Sequence, residues 1–485
     1  MSTFDGAGKG MPAFVPAPAR IEESFGTLEF AGGGFADDAT TRMLYDELDL
    51  QRATQAYLDF YPALSLFGIL TGQVHDYGFR SCSNIGIFAD FADAAALYLT
   101  ANTDSVYATL TVDLKAEGPT VIEIPAGMFG SADDAYFRFI VDFGPTGPDQ
   151  GAGGKYLLVP PGYEDEEPDG YIVVRSPTYR VWAMVRAPAE LVGTGKDAME
   201  WYRQNLRAYP LATGPRNGEY MNLSGRRFTQ LPPEDATAFG WLDEIVQYEP
   251  DDLFSVEQRG RLATLGIRKG RPYAPDERMR GIFDRAGKLG AAMSRAVCFA
   301  NRREDARYWP DRQWETAFSG TSDFIVDGAL DPDLRTLWHY QAIVVSPAMA
   351  SVREGVGSVY LGVCRDETGE YLDGARSYRL NVPADPPAKQ FWSITLYDPA
   401  TRSAAHQPAA PECQQPAEAN AEPRRIRRHR HRSRRARRPA RQLDRHRPGQ
   451  GWFTLFRFYG PLRGSIDRTW KLGDLSSRST SSSPT

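Results

Sequence analysis

The sequence predicts an α+β protein that is mainly β, and three observations support this fold class. Aromatic residues make up 12% of the 485 residues, and 45 Gly and 35 Pro accompany them, a composition that favours sheets and turns over a helical bundle. Short β-rich runs separated by turn residues fill 97–187 and return at about 355–475. Segments with helical periodicity lie between these two β-regions. We therefore expect a β-sandwich, a helical middle segment and a second β-domain.

The N-terminal part of the chain predicts a leader followed by one helical segment. Residues 1–37 are rich in Gly, Pro and Ala, so we expect them to be disordered. From Asp38 onwards apolar residues recur at helical spacing, and Pro62 marks an end or a kink of this helix. The helical segment is placed at 38–70. No apolar stretch typical of a secretory signal or a membrane span is present, so a cytoplasmic location is expected.

The first β-domain is placed at 71–187. Its runs of β-forming residues, such as AYFRFIVDFG and YRVWAMVRA, are separated by turns every 8 to 20 positions. This spacing is typical of an antiparallel sandwich of about six to eight strands. The glycine-rich stretch 142–155 lies between two strong strands and is a candidate for the rim of a pocket.

The remainder of the chain predicts a helical domain at 188–345 and a second β-domain at 346–475, with a disordered tail at 476–485. The strand at 391–397 alternates strictly. Phe391, Ser393, Thr395 and Tyr397 share one face, and Trp392, Ile394 and Leu396 share the other. We expect this strand to pair with the one that begins near Gly451.

An arginine-rich stretch interrupts the second β-domain at 404–447. It contains 13 Arg against 4 acidic residues, a net charge of +9, whereas the whole chain carries −6 and the rest therefore −15. Three interpretations were weighed: a nucleic-acid-binding arm, a solvated disordered segment and a compensated double frameshift in the gene. The frameshift is favoured because a one-base shift turns Arg codons into the Asp, Gly and Ala codons of ordinary turns. Residues 404–447 would then form an irregular excursion.

The usual cofactor and catalytic motifs are missing from the sequence. There is no GxSxG elbow, Walker loop or Rossmann fingerprint, and no nucleotide, flavin or zinc motif is found. The four cysteines are widely spaced and form no CxxC pair. Outside the interruption only His75 and His339 remain, which excludes a His-rich metal centre but leaves a divalent metal open. The cofactor is therefore unknown.

Six polar residues near the first β-domain are the candidates for chemistry. The proposed catalytic residues are Asp104, His75 and Tyr107, and the proposed substrate-binding residues are Asn102, Arg138 and Asp142. Asp104, or His75 oriented by its neighbouring carboxylate, would activate water. Arg138 precedes Asp142 by four residues, so it would neutralise that carboxylate or hold an anionic group. The structural alternatives are a turn-capping network around Asn102 and a surface position for Asp142.

Several motifs resemble those of a tandem bacterial family, the domains of unknown function 1254 and 1214. The matching stretches are NTDSVY at 102–107, GKYL at 154–157, YLDG at 371–374, FWS at 391–393, GWF at 451–453 and YGPL at 459–462. The resemblance spans about 40–475 and implies an Ig-like first domain, a helical middle and a C-terminal jelly-roll β-sandwich. It also implies that relatives lack the arginine run, in agreement with a frameshift. The family supplies no agreed catalytic mechanism.

The expected function is hydrolysis of small apolar esters, either carboxylic or phosphoric, by water that a carboxylate or His activates. Two alternatives stay open: a non-enzymatic carbohydrate- or envelope-binding β-sandwich, and nucleic-acid binding through the arginine run. Because the body of the chain is acidic, we expect a small-molecule substrate as partner, with neither nucleic acid nor a membrane. Large apolar β-surfaces are compatible with a homo-oligomer.

Overall fold

The computed structural model describes residues 18–404 and 449–477, apart from Gly33, Ser319 and Ser351, together with the backbone of Gln415 and Pro416. Most of the interruption predicted at 404–447 therefore lies outside the described residues, as do 1–17 of the leader and 478–485 of the tail. The fold is α+β with several sheets, about 30% helix and 28% strand. Helix and strand are nearly balanced, so the protein is mixed and not mainly β.

The N-terminal region is more ordered than its composition predicts. Three strands form a small antiparallel sheet before the first helix, namely β1 (Arg20–Glu23), β2 (Gly26–Ala31) and β3 (Phe35–Ala36). Helix α1 (Asp38–His75) begins at an N-cap in which the Asp37 carboxylate accepts the Thr40 N–H at 2.7 Å. Pro62 lies inside α1 without ending it, and the helix runs past the predicted boundary at 70.

The first β-region folds into two packed sheets. Its strands are β4 (Asn84–Ile87), β5 (Ala96–Leu97), β6 (Val106–Asp113), β7 (Thr120–Ile124), β8 (Phe129–Asp134), β9 (Phe139–Phe143), β10 (Gly154–Val159), β11 (Ile172–Arg175), β12 (Arg180–Ala187), β13 (Arg207–Pro210), β14 (Glu219–Asn222) and β15 (Phe228–Thr229). The intervening helices are α2 (Leu114–Glu117), α3 (Ala189–Val192) and α4 (Lys196–Asn205), and a 3-10 turn spans Leu211–Thr213.

These strands form two large sheets that share one core, and they extend beyond the predicted end of the first β-domain. One sheet has the order β14-β4-β6-β12-β8-β9 and the other β11-β10-β7-β13, with β5 and β15 forming a separate pair. Val106, Leu110, Ile122 and Leu158 belong to the core between the two large sheets. Strands β13 and β14 lie beyond the predicted end at 187. The β10–β11 and β4–β14 pairs are parallel, in contrast to the expected antiparallel arrangement.

The middle segment packs four helices against α1, namely α5 (Thr237–Tyr248), α6 (Val256–Thr264), α7 (Glu277–Phe299) and α8 (Pro332–Gln341). The short helix α9 (Pro347–Ala350) contacts the second β-region, and a 3-10 turn spans Asp251–Leu253. Phe60 of α1, Phe239 of α5 and Phe283 of α7 share one apolar cluster, in which the last two rings stack 4.2 Å apart. Among the described residues, no helix has the length and apolarity needed to cross a membrane.

The second β-region is a five-stranded antiparallel sheet. Its strands and their neighbours are β16 (Glu315–Thr316), β17 (Ile325–Val326), β18 (Ala329–Leu330), β19 (Ser358–Val363), β20 (Tyr378–Leu380), β21 (Ala388–Tyr397), β22 (Gln415–Pro416), β23 (Phe453–Pro461) and β24 (Leu475–Ser477), with α10 (Arg463–Ile466). The sheet order is β16-β19-β23-β21-β22, and β17–β18 and β20–β24 are separate pairs. The expected pairing of β21 with β23 is confirmed. The described residues form no jelly roll, because β20 pairs with β24 instead of extending the main sheet.

The two faces of β21 have different partners, as its alternation predicts. Trp392 and Ile394 pack in a cluster with Phe456 on the outer side of the sheet. Tyr397 belongs to another cluster, which also contains Tyr107 of β6 and thus joins this sheet to the outer face of the six-stranded sheet. The two β-regions therefore face each other, and the candidate site lies between them.

Candidate functional site

A cavity of about 110 Å³ lies between the outer face of the six-stranded sheet and the facing side of the five-stranded sheet. Its volume suits a small organic ligand, since an apolar cavity of about 150 Å³ holds benzene. The predicted residues Asn102, Tyr107 and Asp142 line it. Thr146 also lines it, so the glycine-rich loop contributes to the pocket as expected.

Strand register brings polar side chains together on the floor of the cavity. Arg186 of β12 lies directly opposite Tyr107 of β6 on one side and Phe129 of β8 on the other. One row further, Ser131 of β8 lies opposite Asp142 of β9. Because residues two apart on a strand share a face, both rows point into the same space. All five residues line the cavity.

A buried arginine of the five-stranded sheet lies on the roof of the cavity, the side opposite the six-stranded sheet. Arg457 of β23 is 2% exposed and lies opposite Tyr360 of β19. Its guanidinium donates to the Thr395 hydroxyl at 2.9 Å, to the Thr100 carbonyl at 2.8 Å and to the Tyr397 hydroxyl. Since Thr100 belongs to the first β-region, these bonds connect the two sheets. Acceptors of the protein itself therefore satisfy much of this guanidinium.

Arg186 differs from Arg457 in having no such partner. None of the described residues accepts a hydrogen bond from its guanidinium, which lies 5.8 Å from the centre of the Tyr459 ring. Burial alone would lower the pKa of Arg186, but Tyr360, Tyr107 and the nearby Asp104 outweigh it and raise this pKa. Arg186 thus presents a permanent positive charge to the cavity.

Asp142 is the carboxyl group that lines the cavity. It is 6% exposed and accepts a hydrogen bond of 2.7 Å from the Ser346 hydroxyl. Burial raises the pKa of Asp142, although hydrogen bonds from Ser346 and Thr146 oppose that shift. A carboxyl group with a raised pKa exchanges protons closer to neutral pH, as general acid–base catalysis requires.

Asp104 and Asn102 have structural partners. The Asn102 side-chain oxygen accepts the N–H groups of Asp104 at 3.3 Å and Ser105 at 3.1 Å, which is the turn-capping network considered above. The Tyr459 hydroxyl lies 3.2 and 3.1 Å from the two Asp104 oxygens. Asp104 is buried beside the cavity but is not part of its wall. It can position Tyr459 next to Arg186.

The structure does not bring His75 and Arg138 to this cavity. His75 is exposed at the last residue of α1. The Arg138 Nε atom lies 2.7 Å from an oxygen of Asp134, which is fully buried, so the pairing expected with Asp142 is replaced by this ion pair. An offset of four residues predicts a shared face on a regular strand. Arg138, however, lies in the turn that joins β8 to β9 and belongs to neither strand.

A second cavity of about 360 Å³ borders β16 and β19. It is larger, but its arginines have partners within the protein: Arg303 forms ion pairs with Asp305 and Asp331, and Arg365 donates to the Gly369 carbonyl at 2.8 Å. The unsatisfied guanidinium therefore favours the smaller cavity as the functional site. No group of three or more potential metal ligands occurs in the part of the chain that the structure describes.

Sequence reasoning missed Arg186, Arg457, Tyr360 and Ser346. Both arginines lie inside strands of otherwise mostly apolar residues, RVWAMVRA and FTLFRFYGP, the first of which also begins with Arg180. A charge inside a mostly buried strand requires a partner, so this signal was available in the sequence. The register that brings Arg186 opposite Tyr107 was not.

Comparisons with known proteins support the fold and the family. Residues 84–210 match the family described as "Protein of unknown function (DUF1254)", and residues 357–463 match "Protein of unknown function (DUF1214)". The crystal structure of the VPA0106 protein from Vibrio parahaemolyticus is similar, with a TM-score of 0.52, 15% identity, and coverage of 89% of this chain and 100% of that one. An uncharacterised protein from Burkholderia cenocepacia gives a TM-score of 0.32 at 13% identity, covering 91% and 96% of the two chains.

No curated protein matches the chain. The two matched regions occur in the order that the sequence motifs predicted, with the helical segment between them. They also contribute the two walls of the cavity, since the first contains Tyr107, Asp142 and Arg186 and the second contains Tyr360 and Arg457. The chain therefore belongs to the family of tandem DUF1254 and DUF1214 proteins.

Proposed function

We propose that the protein is a hydrolase of small, largely apolar esters and that the cavity between the two sheets is its active site. One observation carries the proposal: Asp142, whose pKa burial raises, lines the same cavity as Arg186 and Tyr107. No described residue accepts a hydrogen bond from either of these two donors. A general base and free donors on one small cavity are the elements that ester hydrolysis requires.

In the proposed reaction Asp142 accepts a proton from water while the water oxygen attacks the carbonyl carbon or the phosphorus. Arg186 and the Tyr107 hydroxyl stabilise the negative charge that develops on the substrate oxygen. Burial raises the pKa of Tyr107 to about 12, so this hydroxyl remains a donor at neutral pH. The ester C–O or P–O bond then breaks, and protonated Asp142 returns its proton to the leaving alcohol. Phe129 and Met184 contact the apolar part of the substrate.

Purified protein tested on carboxylic and phosphoric esters, with and without a chelator, examines this proposal. We expect Asp142→Asn to lower kcat by about 10²- to 10⁴-fold, the usual contribution of a general base. Asp165→Asn, on an exposed loop, and His75→Ala should retain the wild-type rate. No turnover of any ester by the wild type, or full activity of Asp142→Asn, contradicts the assignment.

The other expectations from the sequence stand as proposals with their own tests. A carbohydrate- or envelope-binding role of the two β-regions would give glycan binding without turnover. Nucleic-acid binding would be salt-dependent and lost on deletion of 424–447, a segment outside the described residues. A cytoplasmic location and a homo-oligomer are testable by fractionation and light scattering. Resequencing the gene tests the frameshift.

A further inference from the structure

We infer that the ligand of this cavity is a small organic anion whose charged group, a carboxylate or a phosphate, binds to Arg186 and to the hydroxyls of Tyr107 and Tyr360. The inference uses the same cavity as the proposed function and rests on that function only for the ester chemistry. It narrows the expected substrates from apolar esters in general to esters that also carry a negative charge.

The charges around the cavity favour an anion. Arg186 and Arg457 contribute two positive charges, and Asp104 contributes one negative charge. The Asp142 carboxyl group accepts a hydrogen bond from Ser346 at 2.7 Å, and no carboxylate oxygen of the described residues lies within 4.0 Å of the Arg186 guanidinium. The positive charge of Arg186 is therefore not paired within the described protein, and a ligand anion would pair with it.

The hydrogen bonds identify Arg186, and not Arg457, as the residue that binds this anion. Arg457 donates to three acceptors of the protein, as described above, and holds the two sheets together. Arg186 has no acceptor among the described residues and no carboxylate oxygen within 4.0 Å. Arg186 is partly exposed and lines the cavity, so a ligand anion bound there would supply the acceptor that the protein does not offer it.

Two tyrosine hydroxyl groups line the cavity together with Arg186 and add hydrogen-bond donors to it. Tyr107 lies opposite Arg186 on the floor, and Tyr360 lies opposite Arg457 on the roof. Neither hydroxyl has a hydrogen-bond partner among the described residues, and both side chains line the cavity. A planar guanidinium flanked by hydroxyl donors suits the several oxygens of a carboxylate or a phosphate.

The remaining walls limit the body of the ligand. Phe129, Met184, Phe318 and Ile343 contribute apolar surface. With about 110 Å³ available, the cavity accommodates an organic group no larger than a small aromatic ring. An aromatic or short aliphatic carboxylate fits this combination of charge and apolar surface better than free inorganic phosphate does.

Isothermal titration calorimetry of the full chain with benzoate and with inorganic phosphate tests the inference. We expect the wild type to bind benzoate with a Kd of about 1 mM or lower, and Arg186→Gln to weaken that binding at least about tenfold. Arg180→Gln removes the same charge from the same strand at a residue that does not line the cavity, and it should bind like the wild type. Preferential phosphate binding through Arg186 would assign the charged group as a phosphate.

A more conservative substitution at the same site controls for misfolding of Arg186→Gln. Tyr107→Phe removes one hydroxyl and should weaken benzoate binding about tenfold with unchanged thermal unfolding, since the lost hydrogen bond is one to a charged group. Equal binding by the wild type, Arg186→Gln and Tyr107→Phe overturns the inference. So does the absence of binding of either probe to the wild type at about 10 mM, well above the expected Kd.

The outcomes separate this inference from the hydrolase proposal. Benzoate binding that depends on Arg186, in a protein that hydrolyses no ester, supports the anion site and removes the hydrolase. Hydrolysis of neutral esters by the wild type that is lost in Asp142→Asn, without binding of either anion by the wild type, supports the hydrolase and removes the anion site.

Discussion

Glu249 makes the stability of this protein depend on pH in an unusual direction. It follows α5 and is 1% exposed, and one of its oxygens accepts the Tyr179 N–H at 2.7 Å while the other has no partner among the described residues. Burial raises the pKa of Glu249 from 4.5 to about 7, although the Tyr179 N–H and the Arg180 guanidinium oppose the shift and Asp113 adds to it. The folded protein thus holds this proton more tightly than the unfolded chain does.

The sign and size of the effect follow from that difference. Stability due to Glu249 is fully present below pH 4.5 and is lost as the pH rises towards about 7. A pKa difference of about 2.5 corresponds to about 3 kcal/mol, most of it between pH 5 and pH 8. Glu249→Gln keeps an oxygen for the Tyr179 N–H but does not titrate. We therefore expect the variant to gain about 2–3 kcal/mol relative to the wild type between these two pH values.

Urea unfolding at pH 5, 6, 7 and 8 measures this gain, with circular dichroism and tryptophan fluorescence followed together to check that a single transition applies. Glu244→Gln is the matched control, because it removes the same charge from an exposed position of α5. Its difference from the wild type should be almost independent of pH. Parallel curves for Glu249→Gln and the wild type would refute the reasoning.

Three further predictions concern burial in other parts of the fold. Burial lowers the pKa of His339 from 6.5 to about 4, so the advantage of the wild type over His339→Gln in urea unfolding should shrink by about 3 kcal/mol as the pH falls through that interval. Gly68→Ala should lower the thermal midpoint because its Cβ would overlap a backbone carbonyl, whereas Gly281→Ala, with open space around it in α7, should gain up to about 1 kcal/mol. Arg457→Met should cost about 3–5 kcal/mol in urea unfolding by removing three buried hydrogen bonds of a charged group, and the exposed Arg463→Met should cost little.

The pH effects of Glu249 and His339 have opposite signs over overlapping intervals. The stability due to His339 is lost as the pH falls from 6.5 to about 4, because the unfolded chain binds that proton more tightly. The stability due to Glu249 is lost as the pH rises from 4.5 to about 7. In the wild type the two contributions partly cancel, so a flat pH profile of the wild type is compatible with both. Only the differences between variants and wild type separate them.

The sequence predicted the parts of the fold whose local pattern determines them. The alternation of 391–397 placed Trp392 and Ile394 on one face and Tyr397 on the other, as observed, because a half-buried strand has only two faces. Strands β13 and β14 escaped prediction because each has four residues and forms only through pairing with distant strands. Pro62 was expected to end or kink α1, yet the helix continues through it within the apolar core. In both cases tertiary contacts outweighed the preference of the local sequence.

The candidate site was predictable in residue type more than in arrangement. Asn102, Tyr107 and Asp142 were singled out because they flank strands and a glycine-rich loop, and all three line the cavity. The chemistry of an imidazole alone makes His75 a candidate, and nothing in its local sequence shows that α1 ends in solvent. A regular strand would place Arg138 on the same face as Asp142, whereas a turn directs it to Asp134.

Arg186 and Arg457 show where inference from the sequence ends. Each lies inside a strand of mostly apolar residues, so the sequence implies that each has a partner. It does not distinguish a partner within the protein from a ligand, since that depends on which acceptors the neighbouring strands present. The Arg457 guanidinium reaches the Thr100 carbonyl and donates a hydrogen bond to it. Arg186 lies between Tyr107 and Phe129, and neither of these side chains accepts a hydrogen bond from it. Register thus makes one arginine structural and leaves the other available to a ligand.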